Sequence, residues 1–520
     1  MTGAATRRWW ALGAISLAIL AITLDVTVLT LALPVLSSAL KASEAELQWF
    51  VTSYTLALAA AMLPAGLLGD RYGRKAVMVT ALLLFAAGSL SCAYAPNSSI
   101  FIAARAVLGL AGAALIVMAL SVITVLFSEE ERPRAVGIWG IANFAGLPLG
   151  PILGGWILSH AWWGWIFLMN VPVALLGLVA VLVLVPESRA PVPHGIDTLG
   201  LLLSSAGLVA LMYGVIEAGN HGWDSSIAIV PVIIGLAVLA VFVLWEHRVT
   251  RRQGGQPLVD LALFRSRSFT WGVILIAFGA LGLFGVMFAL PQYFQAIVGL
   301  DPQDSGFRLL PVIAGLIVGA GSADRIAARI GVKLTVAAGF AVAAAGSALG
   351  ATMTVTSGDG LVAVWTFVVG AGSGLAFATA ASTALVELPV ERSGVASGLL
   401  QAIVKLGPAF SASILGSVLN STYRSQVDLT GLPLSSAVAV KTSVFSGIAV
   451  AQQLGSPALL ASARTAFVSG IDHSVQVAAG IAVVGLVLAL IFLPQRSTQA
   501  MAVGGEGMAP GSAGEKILES

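Results

Sequence analysis

The chain has 520 residues, 58% hydrophobic and only 10% charged, with a formal net charge of +2. An ordinary soluble domain carries about 25% charged residues, so a water-facing surface is excluded, and the apolar content is too high for disorder. The near-neutral balance gives no bulk attraction for nucleic acid. At about 20 residues per crossing, the apolar residues suffice for a polytopic helical membrane protein.

Windows of about 19 residues predict spans over 10–36, 47–69, 75–95, 99–126, 134–158, 164–186, 197–216 and 226–245. After a polar break they continue over 269–297, 305–324, 332–353, 360–386, 393–420 and 471–494. The start reads as a cytoplasmic flank, Arg7 and Arg8, followed by the interfacial Trp9 and Trp10. The further spans argue against a cleaved signal. Cys92, the single cysteine, reads as a small buried hydrophobe.

Fourteen spans place both termini on one side. Loops counted alternately from the N-terminus hold nineteen of the 26 cations. The other set holds five, Lys41, Arg308, Arg424, Lys441 and Arg464, while Arg105 and Lys405 fall within spans. The bias predicts cytoplasmic termini. Residues 1–190 then form a six-helix half, and 191–268 two inserted helices with an arginine-rich cytoplasmic linker, the expected hinge. Residues 269–496 form a second six-helix half, with a long extracytoplasmic loop, 421–470, able to hold one or two short amphipathic helices. Residues 497–520 read as a flexible tail.

An internal echo supports two halves. "GLLGDRYGRKAV" carries Gly66, Asp70, Arg71, Gly73, Arg74 and Lys75 after span 2. "GAGSADRIAARIGVKLTV" carries Gly321, Asp324, Arg325, Arg329, Gly331 and Lys333 after span 10. The basic residues either only keep the turn inside, or Asp70 acts as a cytoplasmic latch that meets a helix N-terminus or an arginine in one conformation. In the latch reading the two turns meet across the cytoplasmic side when the protein faces outward, and the acidic run Glu129–Glu131 reaches Arg74.

The five histidines lie at span ends or in loops with no metal-ligand spacing, and no phosphate-cradling G-x-x-x-x-G-K-[ST] is present. No enzyme site, metal site or cofactor is therefore expected. Charges inside spans are more informative, since each costs roughly 2.5–3.5 kcal/mol at a helix centre. Asp25 in span 1, Arg105 in span 4 and Lys405 in span 13 are these charges. They either pair structurally or carry function. Asp25 is the candidate coupling carboxylate, with Arg105 as its modulator. In span 5, Gly146, Gly150, Gly154 and Gly155 with Pro148 and Pro151 suit close helix crossing and kinking.

These segments resemble those of the major facilitator superfamily, and within it the fourteen-helix drug:proton antiporters. "GLLGDRYGRKAV" is similar to the family's motif A. "GLPLGPILGG" resembles the antiporter motif C at Gly146, Gly150, Pro151, Gly154 and Gly155. "LDVTVLTLALP" resembles the span-1 motif with Asp25 in its acidic position. "RAVLGLAGA" resembles motif B through Arg105, Gly109 and Gly112, with Leu108 in place of the usual glutamine. The resemblance implies a two-half fold that alternates access in the plasma membrane. It also implies export of hydrophobic, cationic drugs or antibiotics driven by the proton gradient alone. Thr52 and Gln401 stand where some relatives carry acids, and Lys405 adds a buried cation, which leaves room for neutral or anionic cargo. A carrier of a lipid or endogenous metabolite, and a non-transporting scaffold or sensor, are the alternatives.

Overall fold

The computed structural model describes residues 2–128, 131–189, 197–252, 257–259, 261–386 and 393–494. Among them there is no strand. The first half consists of α1 (Thr2–Leu40), α2 (Glu44–Tyr72), α3 (Arg74–Ala93), α4 (Ser98–Leu126), α5 (Arg132–His160), α6 (Trp165–Leu168) and α7 (Asn170–Leu184). Two inserted helices follow, α8 (Thr198–His221) and α9 (Ser226–Arg251). The second half begins with α10 (Arg267–Tyr293), α11 (Pro302–Phe307), α12 (Leu310–Ile330), α13 (Val332–Gly350) and α14 (Asp359–Val386). It ends with α15 (Ser393–Gln426), α16 (Leu434–Thr442), α17 (Val444–Gln453) and α18 (Pro457–Phe492).

Among the described residues fourteen helical stretches are long and apolar enough to cross a membrane; α6 with α7, and α11 with α12, each make one such stretch. Polar residues sharpen the helix starts. Ser43 and Glu46 form a reciprocal capping box at α2, Asn97 caps α4 and Asp197 caps α8. Each such cap contributes about 1 kcal/mol by satisfying otherwise orphaned amides.

The two halves repeat one packing plan. In the first, α2 packs on α4, α1 on α5 and α3 on α4 and α7. In the second, α12 and α13 pack on α14, and α10 on α15 and α18. The inserted pair is asymmetric. Helix α8 seats on α2 and α15, with Ser205 donating to the Ala60 carbonyl at 2.7 Å, and so spans the seam between the halves. Helix α9 packs on α8 and leaves Ile233, Ile234, Leu236 and Leu244 exposed, as a lipid-facing helix should.

Two expectations about polar segments change. The 421–470 loop is shorter, because α15 continues to Gln426 and α18 begins at Pro457. Between them α16 and α17 form two short helices, and Tyr423 of α15 donates to the Val440 carbonyl at 3.0 Å to hold α16. The break at 246–268 is likewise shortened by α9, which runs to Arg251. The tail assigned to 497–520 lies outside the described residues.

Candidate functional site

Asp25 is fully buried on α1. One carboxylate oxygen accepts from the Arg105 guanidinium of α4, the other from the Asn170 side-chain amide of α7 at 3.0 Å. The Arg105 Nε donates to the Phe50 carbonyl of α2 at 3.0 Å, and its guanidinium lies 4.5 Å from the Tyr54 ring centroid. Four helices therefore hold one ion pair. Burial of an ion pair is costly unless the remaining donors and acceptors are met, and here Phe50, Tyr54 and Asn170 meet them.

Close backbone approach makes this arrangement possible. A side chain on Gly109 would collide with the Tyr54 carbonyl, and one on Gly112 would sit 2.9 Å from the Tyr54 hydroxyl. These glycines bring α2 under Arg105. Leu108, in place of the expected glutamine, packs against Gly88.

The span-5 glycines act on the other side of α1. Gly146, Gly150 and Gly154 recur every four residues, so they share one face of α5. They meet Thr23, Thr27 and Val28, the neighbours of Asp25 in sequence. Thr27 also donates to the Gly146 carbonyl at 3.1 Å. Gly155 faces elsewhere, against Gln303 of α11 in the second half. Pro151 lines a cavity of about 400 Å³ between the halves, together with Thr27, Thr30, Met287, Pro291 and Gln295.

At the face carrying the basic loops, Asp70 is 4% exposed and Arg74 is 2% exposed. Asp70 accepts from Arg74 at 3.0 Å and from the backbone amide of Val395 at 3.0 Å. Val395 lies in the first turn of α15, where free amides and the helix dipole favour a carboxylate. Gly73, at φ +107°, lets α2 turn directly into α3, and Gly331, at φ +83°, does the same between α12 and α13. The Arg74 and Lys75 amides donate to Ser188 and Glu187 beyond α7, while Arg71 lies over the Tyr72 ring and Gly66 is buried in α2.

Two expectations at this face are corrected. The echoed turns do not meet each other as the latch: Asp70 engages the start of α15, whereas Asp324 and Arg325 are exposed at the end of α12, which packs beside α5. Each turn ends a helix that packs on one of the opposite half, α2 on α15 and α12 on α5. Glu131 pairs with Arg8 at 2.7 Å, because α1 and α5 lie side by side; Arg74 is turned inward to Asp70. Glu129 and Glu130 lie outside the described residues.

Thr52 on α2 and Gln401 on α15 are buried, and Lys405 is partly exposed one turn beyond Gln401. None of the three hydrogen-bonds to Asp25 or Arg105. Asn170 and Tyr54 were not singled out by the sequence. An asparagine inside an apolar stretch, "LMNVPVAL", is the signal by which the former can be found.

Two packed helical repeats, with a buried acid in the first and the Asp70–Val395 hydrogen bond between them, define a two-half membrane fold. The family model described as Major Facilitator Superfamily matches residues 15–412, and the chain belongs to that family. It is 32% identical over 484 residues to the multidrug efflux pump LfrA of Mycolicibacterium smegmatis, covering 91% of this chain and 94% of that one. It is 30% identical over 421 residues to the tetracenomycin C resistance and export protein of Streptomyces glaucescens, covering 81% and 77%. Among solved structures, the proton:xylose symporter XylE superposes with a TM-score of 0.61 at 15% identity, covering 96% of this chain and 99% of that one. At that identity the likeness concerns the fold alone. The chain is a multi-pass protein of the cell membrane.

Proposed function

We propose that this protein exports hydrophobic drugs or antibiotics across the cell membrane in exchange for protons, with both termini in the cytoplasm. The observation that carries the reading is Asp25, fully buried and shared between Arg105 and Asn170 where α1, α2, α4 and α7 meet. In this reading the Arg105 contact holds Asp25 as a carboxylate, and proton uptake accompanies release of that contact. Because the glycine face of α5 grips α1 on both sides of Asp25, a change at the carboxylate is transmitted to the α1–α5 crossing.

The latch supplies the second requirement. The Asp70–Val395 hydrogen bond joins the halves at the basic-loop face and must break for that side to open. The names of the relatives support drugs and antibiotics as cargo. Competition of a cationic drug and a proton for Asp25 requires Arg105 to withdraw first.

The test is transport by inverted membrane vesicles. A proton gradient is expected to drive uptake of hydrophobic fluorescent dyes by vesicles carrying the protein, and to drive none with Asp25→Asn. Absence of uptake across dyes of all charges would overturn export.

A further inference from the structure

Lys405 is a charged side chain that the coupling pair does not use. It lies on α15, a helix packed against α2, α4, α8, α10 and α18. Two tight crossings flank it. Gly398 abuts the Met62 carbonyl of α2, and Gly407 abuts Ala280 of α10. Lys405 is seven residues from the first, about 10 Å along the helix. It is therefore deep in the bundle, yet still partly exposed.

Lys405 has no hydrogen-bond or ion-pair partner among the described residues. One turn earlier, Gln401 is 1% exposed and its Oε1 has no hydrogen-bond partner. The acid of the coupling site cannot compensate Lys405, because Asp25 already holds Arg105 and Asn170. An unpaired ammonium away from bulk water is costly, and an anionic ligand would relieve that cost. One turn along α10 from Ala280, Phe284 meets Phe144 at 5.7 Å between ring centroids, and Phe144 meets Phe377 at 5.5 Å. Such a cluster suits a planar aromatic frame.

We propose that the exported compounds include hydroxylated aromatic acids. Their carboxylate or phenolate is held by Lys405, and a neighbouring hydroxyl donates to Gln401 Oε1. This rests on the export reading. It makes Lys405 and Gln401 the residues that set cargo charge, separate from the proton site at Asp25.

The test uses the full chain in proteoliposomes under a proton gradient, with fluorescein as the anionic probe and ethidium as the cationic one. Wild-type protein is expected to transport fluorescein. Lys405→Gln is expected to lower the fluorescein:ethidium uptake ratio about tenfold or more, the scale of one charge-assisted hydrogen bond, and Lys405→Arg to retain the wild-type ratio. Ethidium uptake without fluorescein uptake, or an unchanged ratio in Lys405→Gln, overturns the acid-cargo assignment and leaves export standing. Uptake of neither dye overturns export and this assignment with it. Fluorescein anisotropy on purified wild-type protein needs no variant. Saturable binding that excess ethidium does not displace is expected, and absence of saturable binding overturns the proposal.

Discussion

Asp70 and Val395 are 325 residues apart, and a 3.0 Å hydrogen bond joins them across the seam between the halves. The same carboxylate is fixed by Arg74 at 3.0 Å through one oxygen, while the other accepts from the start of α15. A charged acceptor at a helix N-terminus is worth up to about 2 kcal/mol when partly buried. Asparagine keeps the shape and loses the charge. Asp70→Asn is expected to impair dye efflux from cells while membrane levels on an immunoblot remain near normal. Asp324→Asn, at an exposed carboxylate, is expected to have a smaller effect. Wild-type efflux by Asp70→Asn would remove the latch.

The α1–α5 crossing gives a steric prediction. A Cβ on Gly154 would lie 2.7 Å from a Val28 methyl, and a leucine there adds three further carbons. Overpacking of this kind typically costs about 1–3 kcal/mol, and here it also displaces the helix that carries Asp25. Gly154→Leu is expected to abolish coupled exchange or to lower the melting temperature of purified protein. Val171→Leu, at a partly exposed position, is expected to be tolerated. Equal tolerance of both in thermal-shift and efflux assays would contradict the close crossing.

The Asp25–Arg105 pair makes a non-additive prediction. Removing one partner of a buried pair leaves an uncompensated charge, at about 3–5 kcal/mol. Arg105→Ala alone is expected to destabilise the protein strongly. The double variant with Asp25→Asn should recover much of that loss, since no charge is then stranded. Thermal unfolding of the four proteins of the cycle checks this, and strictly additive shifts would show that the two residues do not interact.

The crossings were legible because long apolar runs leave few other options in a membrane, and their ends were set by capping residues such as Ser43 and Asn97. The outer extensions of α15 and α18 were not. Residues 421–426 and 457–470 mix Ser, Arg and Ala with apolar residues, and hydropathy averages over the helical periodicity that lets Tyr423 hold α16. Asp25 and Arg105 stood out as charges in apolar surroundings, and their similar depth followed from the helix rise. The partners that complete the site did not stand out. Phe50 contributes only a backbone carbonyl, and Asn170 and Tyr54 become polar anchors only once four helices converge. Glu131 shows the same limit. Its partner, Arg8, depends on which helices lie side by side, which a single sequence does not encode locally.

Proton movement coupled to cargo is the most direct test of the role given to Asp25. Purified protein is placed in proteoliposomes enclosing a pH indicator, and a dye gradient is imposed with no initial pH difference. Wild-type protein is expected to move protons in the direction opposite to the dye, Asp25→Glu to retain part of that flux, and Asp25→Asn to move none although it is folded and inserted. Dye-driven proton flux through Asp25→Asn equal to that of wild type would contradict the account and place the coupling group elsewhere.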